Sequence, residues 1–333
     1  MSHEPRRSDE PAWRPVAALP VLRERGTMLA RIRSFFARVG VLEVETPVLS
    51  PAAVTDPALW SLATTWHGPG VATPVYLHTS PEFAMKRLLA AGSGPIYQLA
   101  RVFRDGERGR LHHPEFTLLE WYRPGWDYRR LMDEVVELLR AALGRPALTA
   151  ERLTYRDLFR ERLGIDPWTD DERSFATVAA AAGIGGPALS NLSRDGWLDL
   201  LLSHLLEPGL GRGCLTFVHD YPPTQAALAR CRQVPEPVAE RFEVYLEGLE
   251  LANGFQELTD AAEQLARFEH DLACRRRAGQ EPGVPPIDTR FIAALEAGLP
   301  DCSGVALGID RLLMCHLGVS HIDEVLAFPI ERA

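Results

Sequence analysis

The segment 103–123 constrains the fold most strongly, because it has the pattern of two strands joined by a long polar loop. Apolar and polar side chains alternate on both sides of the loop, over 95–104 and 115–122, which predicts a hairpin. Strand side chains repeat every two residues, so alternate residues share a face. The residues on one face of the second strand are Phe116, Leu118, Glu120 and Tyr122. A hydrophobic core does not require a carboxylate and a phenol on that face, so their presence indicates a binding site.

Composition narrows the class of protein. The 333 residues carry a formal charge of −9, so no domain-wide basic field attracts tRNA or DNA. The five cysteines include no Cys-x-x-Cys pair, which favours a reduced cytoplasmic protein without structural zinc or disulfides. No uninterrupted apolar stretch could cross a bilayer, so no membrane partner is expected.

Apolar periodicity and capping residues predict most of the other elements. Ser80 as N-cap, Pro81 as the first helical residue and Glu82 in the first turn form a sound helix start. The predicted helices are 21–39, 80–91, 126–143, 260–278 and 288–297, with a mostly helical insertion at 153–206. The predicted strands are 41–45, 75–78, 214–219, 241–246 and 249–254, and a small-residue strand within 303–312 leads into an apolar helix.

A second hairpin is predicted where Glu247 and Gly248 separate two alternating stretches, since two such residues form a short turn. If Leu246 pairs with Leu249, one face of this hairpin carries Glu243, Tyr245, Glu250 and Ala252. Like charges so close are unfavourable unless both carboxylates are solvated or a cation lies between them.

Three ordered stretches resemble the class II aminoacyl-tRNA synthetases, and most closely their lysyl-tRNA synthetase subgroup. Phe103-Arg104, followed by the run 112–117 (His-His-Pro-Glu-Phe-Thr), is similar to motif 2, and 303–312 is similar to motif 3. The first helix and the strand that ends in Thr46-Pro47 are similar to motif 1. The run 120–124 (Glu-Trp-Tyr-Arg-Pro) and the lack of an appended domain are still more similar to the elongation factor P lysine ligases, which are truncated paralogues of that subgroup.

The resemblance implies the α+β class, with the class II catalytic fold of an antiparallel sheet flanked by helices. It implies a flexible tail at 1–14 and one catalytic domain over 15–333, with the helical insertion at about 153–206 and no anticodon-binding domain. Motif 1 forms the subunit interface in this family, so a homodimer is expected.

An ATP site is also implied. Arg104 resembles the motif 2 arginine that binds the α-phosphate and the substrate carboxylate, and Arg311 resembles its motif 3 counterpart, so both are predicted catalytic residues. The predicted ATP-binding residues are Arg104, Asp105, Gly106, His112, His113, Phe116, Glu250, Leu251, Gly308 and Arg311. Glu243 and Glu250 match the family's magnesium-binding acids, whose hard oxygens suit Mg²⁺ beside phosphates.

A lysine-type substrate follows from the acids that match the family's amino-acid site. The predicted residues are Ser80, Pro81, Glu82, Glu120, Tyr122, Asn253, Glu257 and Ala306. Any one of these glutamates alone would be assigned to the surface. Each buried ammonium must meet carboxylate or hydroxyl acceptors, so three acids around one pocket suit a diamino acid better than a neutral one. Which acid meets which ammonium stays open.

The chain departs from the family pattern at three positions. Gly106 stands where motif 2 has a glutamate, with Glu107 one place later, and His113 replaces the common asparagine. Both changes bear on ATP affinity, although a histidine donor could serve like the amide. Ala306 stands where lysyl-tRNA synthetases have glycine. One methyl group can shift selectivity by about 1 to 3 kcal/mol, and our hypothesis is that Ala306 favours (R)-β-lysine over α-lysine.

The function implied is activation of a lysine-type amino acid by ATP and its transfer to a lysine of elongation factor P. One alternative is a minimal lysyl-tRNA synthetase or a free-standing adenylate synthase. Another is an inactive paralogue that binds an amino acid or a protein as a regulator. The chain keeps both predicted catalytic arginines and both predicted magnesium-binding acids, which argues against an inactive regulator.

Overall fold

The computed structural model describes residues 11, 13–186, 189, 192–279 and 284–333, so residues 1–10 and 12 of the predicted tail lie outside the described residues. The helices are α1 (Leu19–Arg38), α2 (Glu82–Ala90), α3 (Tyr128–Leu143), α4 (Tyr155–Leu163), α5 (Glu172–Ala181), α6 (Arg194–Leu201), α7 (Ala261–Arg277), α8 (Thr289–Gly298) and α9 (Ile309–Leu317). The strands are β1 (Leu42–Glu43), β2 (Leu49–Ser50), β3 (Ala63–Trp66), β4 (Thr73–Leu77), β5 (Ile96–Phe103), β6 (Glu115–Pro124), β7 (Ala150–Thr154), β8 (Leu215–Tyr221), β9 (Cys231–Arg232), β10 (Val238–Leu246), β11 (Leu249–Gln256) and β12 (Cys302–Gly308). None of these helices is both long and apolar enough to span a membrane.

Strands from distant parts of the chain form one sheet in the order β1-β5-β6-β12-β11-β10-β8-β7, and β9 pairs with β10. Pairing is antiparallel from β5 to β8, whereas the outer pairs, β1 with β5 and β7 with β8, are parallel. β2, β4 and β3 form a small separate sheet. The predicted α+β class, with an antiparallel sheet flanked by helices, is confirmed.

One face of the large sheet packs against α1, α3 and α9. Trp121 of β6, Phe242 of β10 and Leu307 of β12 lie in one core cluster with Phe36 of α1, and each of them is fully buried. Burying an apolar side chain of this size contributes about 1.5–3 kcal/mol. Because adjacent strand residues point to opposite faces, this packing leaves the opposite face of the central strands for the site.

The segment between α3 and β8 is mostly helical, as predicted, but it begins with a strand. β7 extends the sheet because residues 150–154 pair with 215–219. The helices α4, α5 and α6 then pack on β8 through buried residues that include Tyr155, Phe175 and Leu198. A π-helical turn at Leu202–Leu206 continues α6.

The hairpin of β10 and β11 has the predicted pairing of Leu246 with Leu249, next to the two residues at its tip. Both tip residues, Glu247 and Gly248, have positive φ angles. Two such residues give a turn whose twist matches that of the flanking strands. The start of the hairpin therefore follows from local sequence.

Beyond the turn, the register of this hairpin shifts. Glu250 faces β10 directly, whereas Ala252 pairs with the very next β10 residue, so Leu251 is the extra residue of a β-bulge. Every residue after a bulge changes face. The predicted place of Ala252 beside the carboxylates is therefore wrong, because Ala252 lies in the core. Asn253 takes that place, opposite Glu243.

Candidate active site

A cleft of about 1040 Å³ lies over the centre of the sheet. Its floor is β12, whose residues on this face are Gly304, Ala306 and Gly308, and all three line the cleft. The neighbouring strands, β6 and β11, carry large and polar side chains on the same face. A strand of small residues between two such strands forms a trough, which explains the small-residue pattern of 303–312.

A row of side chains, all polar except that of Ala306, crosses the trough from strand to strand. Cross-strand pairing places Gln98, Glu120, Ala306, Asn253 and Glu243 side by side on β5, β6, β12, β11 and β10. Residues directly opposite each other on antiparallel strands have neighbouring side chains. Tertiary structure thus aligns five residues that are spread over much of the chain.

One end of the cleft is an acidic pocket, formed by Ser80, Glu82, Glu120, Tyr122 and Glu257. The Ser80 hydroxyl donates to Glu120 Oε1 at 2.6 Å, and the Tyr122 hydroxyl donates to Glu120 Oε2 at 3.3 Å. Burial, with the charge of Glu82 as a second cause, raises the pKa of Glu120 to about 8. Glu120 is therefore largely protonated at neutral pH unless a cation enters the pocket.

The other two acids of this pocket share a buried lysine that the sequence analysis did not single out. Lys86 Nζ lies 2.5 Å from Glu82 Oε1 and 2.6 Å from Glu257 Oε2. Burial raises the pKa of Glu257 to about 7, against the opposing attraction of Lys86. The spacing of Glu82 and Lys86 by one helical turn was the signal available in the sequence.

Glycine at 304 is required for the acids to converge. A Cβ atom built on Gly304 would lie less than 3.0 Å from Glu257 Oε1 and from the Tyr122 ring. Both groups are almost fully buried, so neither has free space to move into. Gly304 therefore serves the acidic pocket.

The other end of the cleft is an arginine pocket, formed by Arg104, His112, Phe116, Glu250 and Arg311. The Arg104 guanidinium lies 4.9 Å from the centre of the Phe116 ring. Its Nε atom is buried and has no hydrogen-bond partner among the residues that the structure describes, and its carboxylate neighbour is Glu107 at 3.5 Å. A partly buried arginine with so few partners has spare donors for an anionic ligand.

Arg311 faces the same space from the start of α9. Its guanidinium donates to the Glu250 main-chain oxygen at 3.0 Å, to Glu250 Oε2 at 3.2 Å and to His112 Nε2 at 2.8 Å. Burial and the nearby Arg311 charge lower the pKa of His112. The imidazole is therefore neutral at pH 7 and accepts this hydrogen bond.

Glu243 lies beside the arginine pocket but is enclosed by protein. Its carboxylate accepts hydrogen bonds from the hydroxyls of Tyr221 at 2.7 Å and Tyr245 at 2.5 Å, and from Arg241 Nη2 at 2.5 Å. Burial and the charge of Glu243 raise the pKa of Glu250. In the part of the chain that the structure describes, no three His, Cys, Asp or Glu side chains cluster closely enough to hold a metal by themselves.

Most of the predicted site residues line the cleft, but four do not. These are Pro81, Asp105, Gly106 and Glu243. Pro81 is the residue before the first turn of α2 and lines a smaller neighbouring cavity. The predicted helix start is wrong by one residue, because Pro81 and not Ser80 is the N-cap of α2, although Ser80 Oγ accepts from the Glu82 main-chain N at 3.0 Å.

Two predicted consequences of the motif 2 departures can be followed in the structure. Gly106 has φ +76°, a conformation that favours glycine, and Glu107 lines the cleft. The acid is thus present one position later than usual. The predicted donor role of His113 toward the nucleotide is wrong. Its Nε2 accepts from the Ile330 main-chain N at 2.9 Å, and its Nδ1 lies 2.6 Å from the Glu115 oxygen.

The C-terminal residues 322–331 brace the loop between β5 and β6 through His113 and through Arg108. Arg108 Nη2 lies 2.8 Å from Asp323 and its Nε lies 2.7 Å from Glu331. The main-chain N of Ile322 donates to the Arg110 oxygen at 2.9 Å. Sequence reasoning could not have found this brace, because its partners are more than 200 positions apart.

The cleft also contains residues that the sequence analysis gave no role. Asp195 and Asp199 of α6 line it, although no chemistry was predicted for the insertion. Burial raises the pKa of Asp199 to about 6. Gln264 of α7 lines the cleft with both of its buried amide atoms unpaired. No local sequence signal distinguishes these residues from ordinary surface or core positions.

An acidic pocket and an arginine pocket side by side on an antiparallel sheet are the arrangement of an enzyme that joins an amino acid to a nucleotide. Residues 14–332 match the family of class II tRNA synthetases (D, K and N), and the chain belongs to this family. It is 52% identical over 323 residues to the elongation factor P (R)-beta-lysine ligase of Vibrio cholerae, a match that covers 96% of this chain and 98% of that protein. It is 50% identical over 328 residues to the ligase of the same name from Klebsiella pneumoniae strain 342, covering 98% and 100%.

Proposed function

We propose that this protein uses ATP to activate (R)-β-lysine as an adenylate and transfers the β-lysyl group to a lysine of elongation factor P. The observation that carries the proposal is the acidic pocket, in which the buried carboxylates Glu120 and Glu257 and the partly buried Glu82 are open to the arginine pocket along one trough. The high identity to two ligases of that name, over nearly the whole of each chain, supports the choice of acceptor.

The two pockets bind substrate groups of opposite charge. Ammonium groups of the substrate enter the acidic pocket, where carboxylates and the Tyr122 hydroxyl accept their hydrogen bonds. The substrate carboxylate then lies toward Arg104, whose unpaired Nε and free donors can bind it together with the α-phosphate. Arg311 approaches the nucleotide from the opposite wall, and Phe116 offers a face on which adenine can stack.

Catalysis in this arrangement is mainly alignment and neutralisation of charge. Attack of the substrate carboxylate on the α-phosphate forms the acyl-phosphate bond and expels pyrophosphate. The two arginines stabilise charge on the α-phosphate. An acceptor amine then attacks the acyl carbon of the adenylate, and AMP leaves.

Mg²⁺ fits this site in the mode in which a few carboxylates share the ion with phosphates and water. Glu250 lines the cleft, and Glu243 retains acceptor capacity beside its three hydrogen bonds. Burial and the charge of Glu243 raise the pKa of Glu250, and a cation beside the two carboxylates would favour their ionised forms. When bound, the ion would neutralise phosphate charge.

Ala306 is our candidate for substrate choice, because its side chain lies in the cross-strand row between Glu120 and Asn253. Its methyl group occupies the floor between the two pockets, where the carbon chain of the substrate must pass. We propose that it disfavours α-lysine and leaves room for β-lysine, whose amino group is one carbon further along.

A cytoplasmic homodimer completes the proposal. Leu42 of β1 is 57% exposed, and Val48 and Leu49, which follow Thr46-Pro47, are 38% and 48% exposed. Apolar side chains so exposed in the motif 1 region support an interface between two copies. The charge of −9 supports a protein acceptor over tRNA.

Amino-acid-dependent pyrophosphate exchange with α-lysine and (R)-β-lysine, followed by addition of elongation factor P or tRNA, tests the proposal. We expect exchange with (R)-β-lysine and labelling of elongation factor P. Labelling of tRNA would favour the minimal synthetase, and no exchange with either isomer would favour the regulator. Light scattering of the purified protein tests the dimer.

A further inference from the structure

Lys86 is fully buried behind the acidic pocket and does not line the cleft. It lies on α2, one turn after Glu82, and reaches across to Glu257 at the end of β11. Its Nζ also lies 5.8 Å from the centre of the Phe291 ring of α8. Burial alone would lower the pKa of Lys86, but the two carboxylates outweigh it and raise the pKa, so the ammonium is charged.

The net charge of the pocket depends on this one lysine. The groups that act electrostatically on its carboxylates are Lys86, the carboxylates themselves, the Tyr122 phenol and the Cys302 thiol of β12. Burial raises the pKa of both Tyr122 and Cys302, so neither carries charge at neutral pH. Once a cationic substrate enters and Glu120 loses its proton, the formal charges of three carboxylates and one ammonium sum to −2, which equals in size the charge of two substrate ammonium groups.

We infer that Lys86 is a positioning residue that makes the pocket selective for substrates with two ammonium groups. Its two ion pairs fix the direction of Glu82 and Glu257, and its charge favours the ionised form of Glu257. Lys86 itself does not touch the substrate. The inference rests on the proposed function, since it concerns the amino-acid site of that reaction.

An ion pair that only stabilised the fold would not need to lie beside the acidic pocket. Burying a charged pair costs desolvation, and an apolar pair of similar volume is often as stable or more stable. Without the lysine, burial would favour the protonated forms of Glu120 and Glu257 more strongly, and a protonated carboxyl attracts an ammonium only weakly. The sheet supplies a comparison, because Arg123 and Glu134 form a buried ion pair on the opposite face, away from the cleft.

The test is the pH dependence of kcat/KM for (R)-β-lysine in pyrophosphate exchange, measured for Lys86→Met. We expect the acid limb of the profile to move up by about one pH unit or more. At pH 7 the amino-acid KM should rise about tenfold, since one pKa unit is a factor of ten, while the ATP KM should stay the same. Arg123→Met is the matched control and should leave the acid limb in place.

An active Lys86→Met enzyme whose acid limb stays in place would overturn the inference. Lys86→Gln keeps a hydrogen-bond donor but no charge, so it should shift the limb as methionine does, and it also serves if the methionine variant does not fold. Lys86→Arg keeps the charge and should keep the wild-type limb. A limb that moves equally in the glutamine and arginine variants would assign Lys86 a packing role. Failure of the proposed function is distinguishable, because the wild-type enzyme would then show no exchange.

Discussion

Substitution of Gly304 by alanine should separate binding of the amino acid from binding of ATP. The added Cβ would lie less than 3.0 Å from Glu257 Oε1 and from two atoms of the Tyr122 ring, whereas ordinary contacts begin near 3.4 Å. The Glu257 carboxylate is tied to Lys86, and the Tyr122 ring is buried. Relief of the overlap therefore displaces the groups that hold the substrate.

The size of the effect follows from that displacement. A shift of roughly 1 Å in a group that orients substrate can cost about 100-fold in rate, which corresponds to about 2.7 kcal/mol. We expect kcat/KM for the amino acid to fall by about that factor, with the ATP KM unchanged. Overpacking of this kind also costs about 1–3 kcal/mol of stability, so thermal unfolding should be recorded to show that the variant is folded at the assay temperature.

Gly308→Ala is the matched control on the same face of the same strand. A Cβ atom there would lie 3.8 Å from the nearest atom, the Leu251 main-chain oxygen, so the protein itself accommodates it. If Gly308 faces the nucleotide as predicted, this variant should raise the ATP KM and spare the amino acid. Pyrophosphate exchange with each substrate varied in turn measures both. Equal losses for both substrates in Gly304→Ala, or an unchanged amino-acid KM, would refute the reasoning.

Three further results are expected. Ala306→Gly should move the preference from (R)-β-lysine toward α-lysine by about 10-fold or more, measured as the ratio of the two kcat/KM values, and an unchanged ratio would remove the argument. Because the pKa of Glu120 is raised from 4.5 to about 8, the native state binds a proton that the unfolded chain releases. The contribution of Glu120 to the free energy of unfolding should then fall as pH rises from about 5 to 8, which denaturation at several pH values measures. Affinity for the amino acid should rise over the same pH range, which the KM measures, and an affinity that falls would contradict the reasoning. Deletion of residues 330–333 removes the Ile330 hydrogen bond to His113. The loss of about 1 kcal/mol of hydrogen bonding should raise the ATP KM about fivefold. A change confined to the amino-acid KM would contradict a role of this segment in ATP binding.

Local sequence was sufficient to predict those features of the structure that depend on periodicity or on a turn. The alternation over 115–122 predicted that Glu120 and Tyr122 share a face, and the trough contains both. The turn at Glu247 and Gly248 predicted the pairing of Leu246 with Leu249. These features depend on neighbouring residues, whose spacing is visible in one sequence.

The bulge at Leu251 and the burial of Lys86 were beyond such reasoning. The bulge reverses the faces of Ala252 and Asn253, and its stability depends on packing against β10 and β12. Lys86 looks like an ordinary charged residue of an amphipathic helix until Glu257, which is 171 positions later, comes within 2.6 Å. An extra strand residue or a distant carboxylate leaves no periodic signal.

Sequence patterns were enough to predict the fold class, most of the helices and central strands, and the residue types of the two pockets. Tertiary structure alone decided which acids share a cation, which histidine is committed to main-chain groups and which glycine gives the acids room. The physical reason is that side-chain direction along a helix or strand repeats with a fixed local period. Charge, burial and steric overlap in the cleft depend instead on groups brought together from β6, β11, β12 and α2.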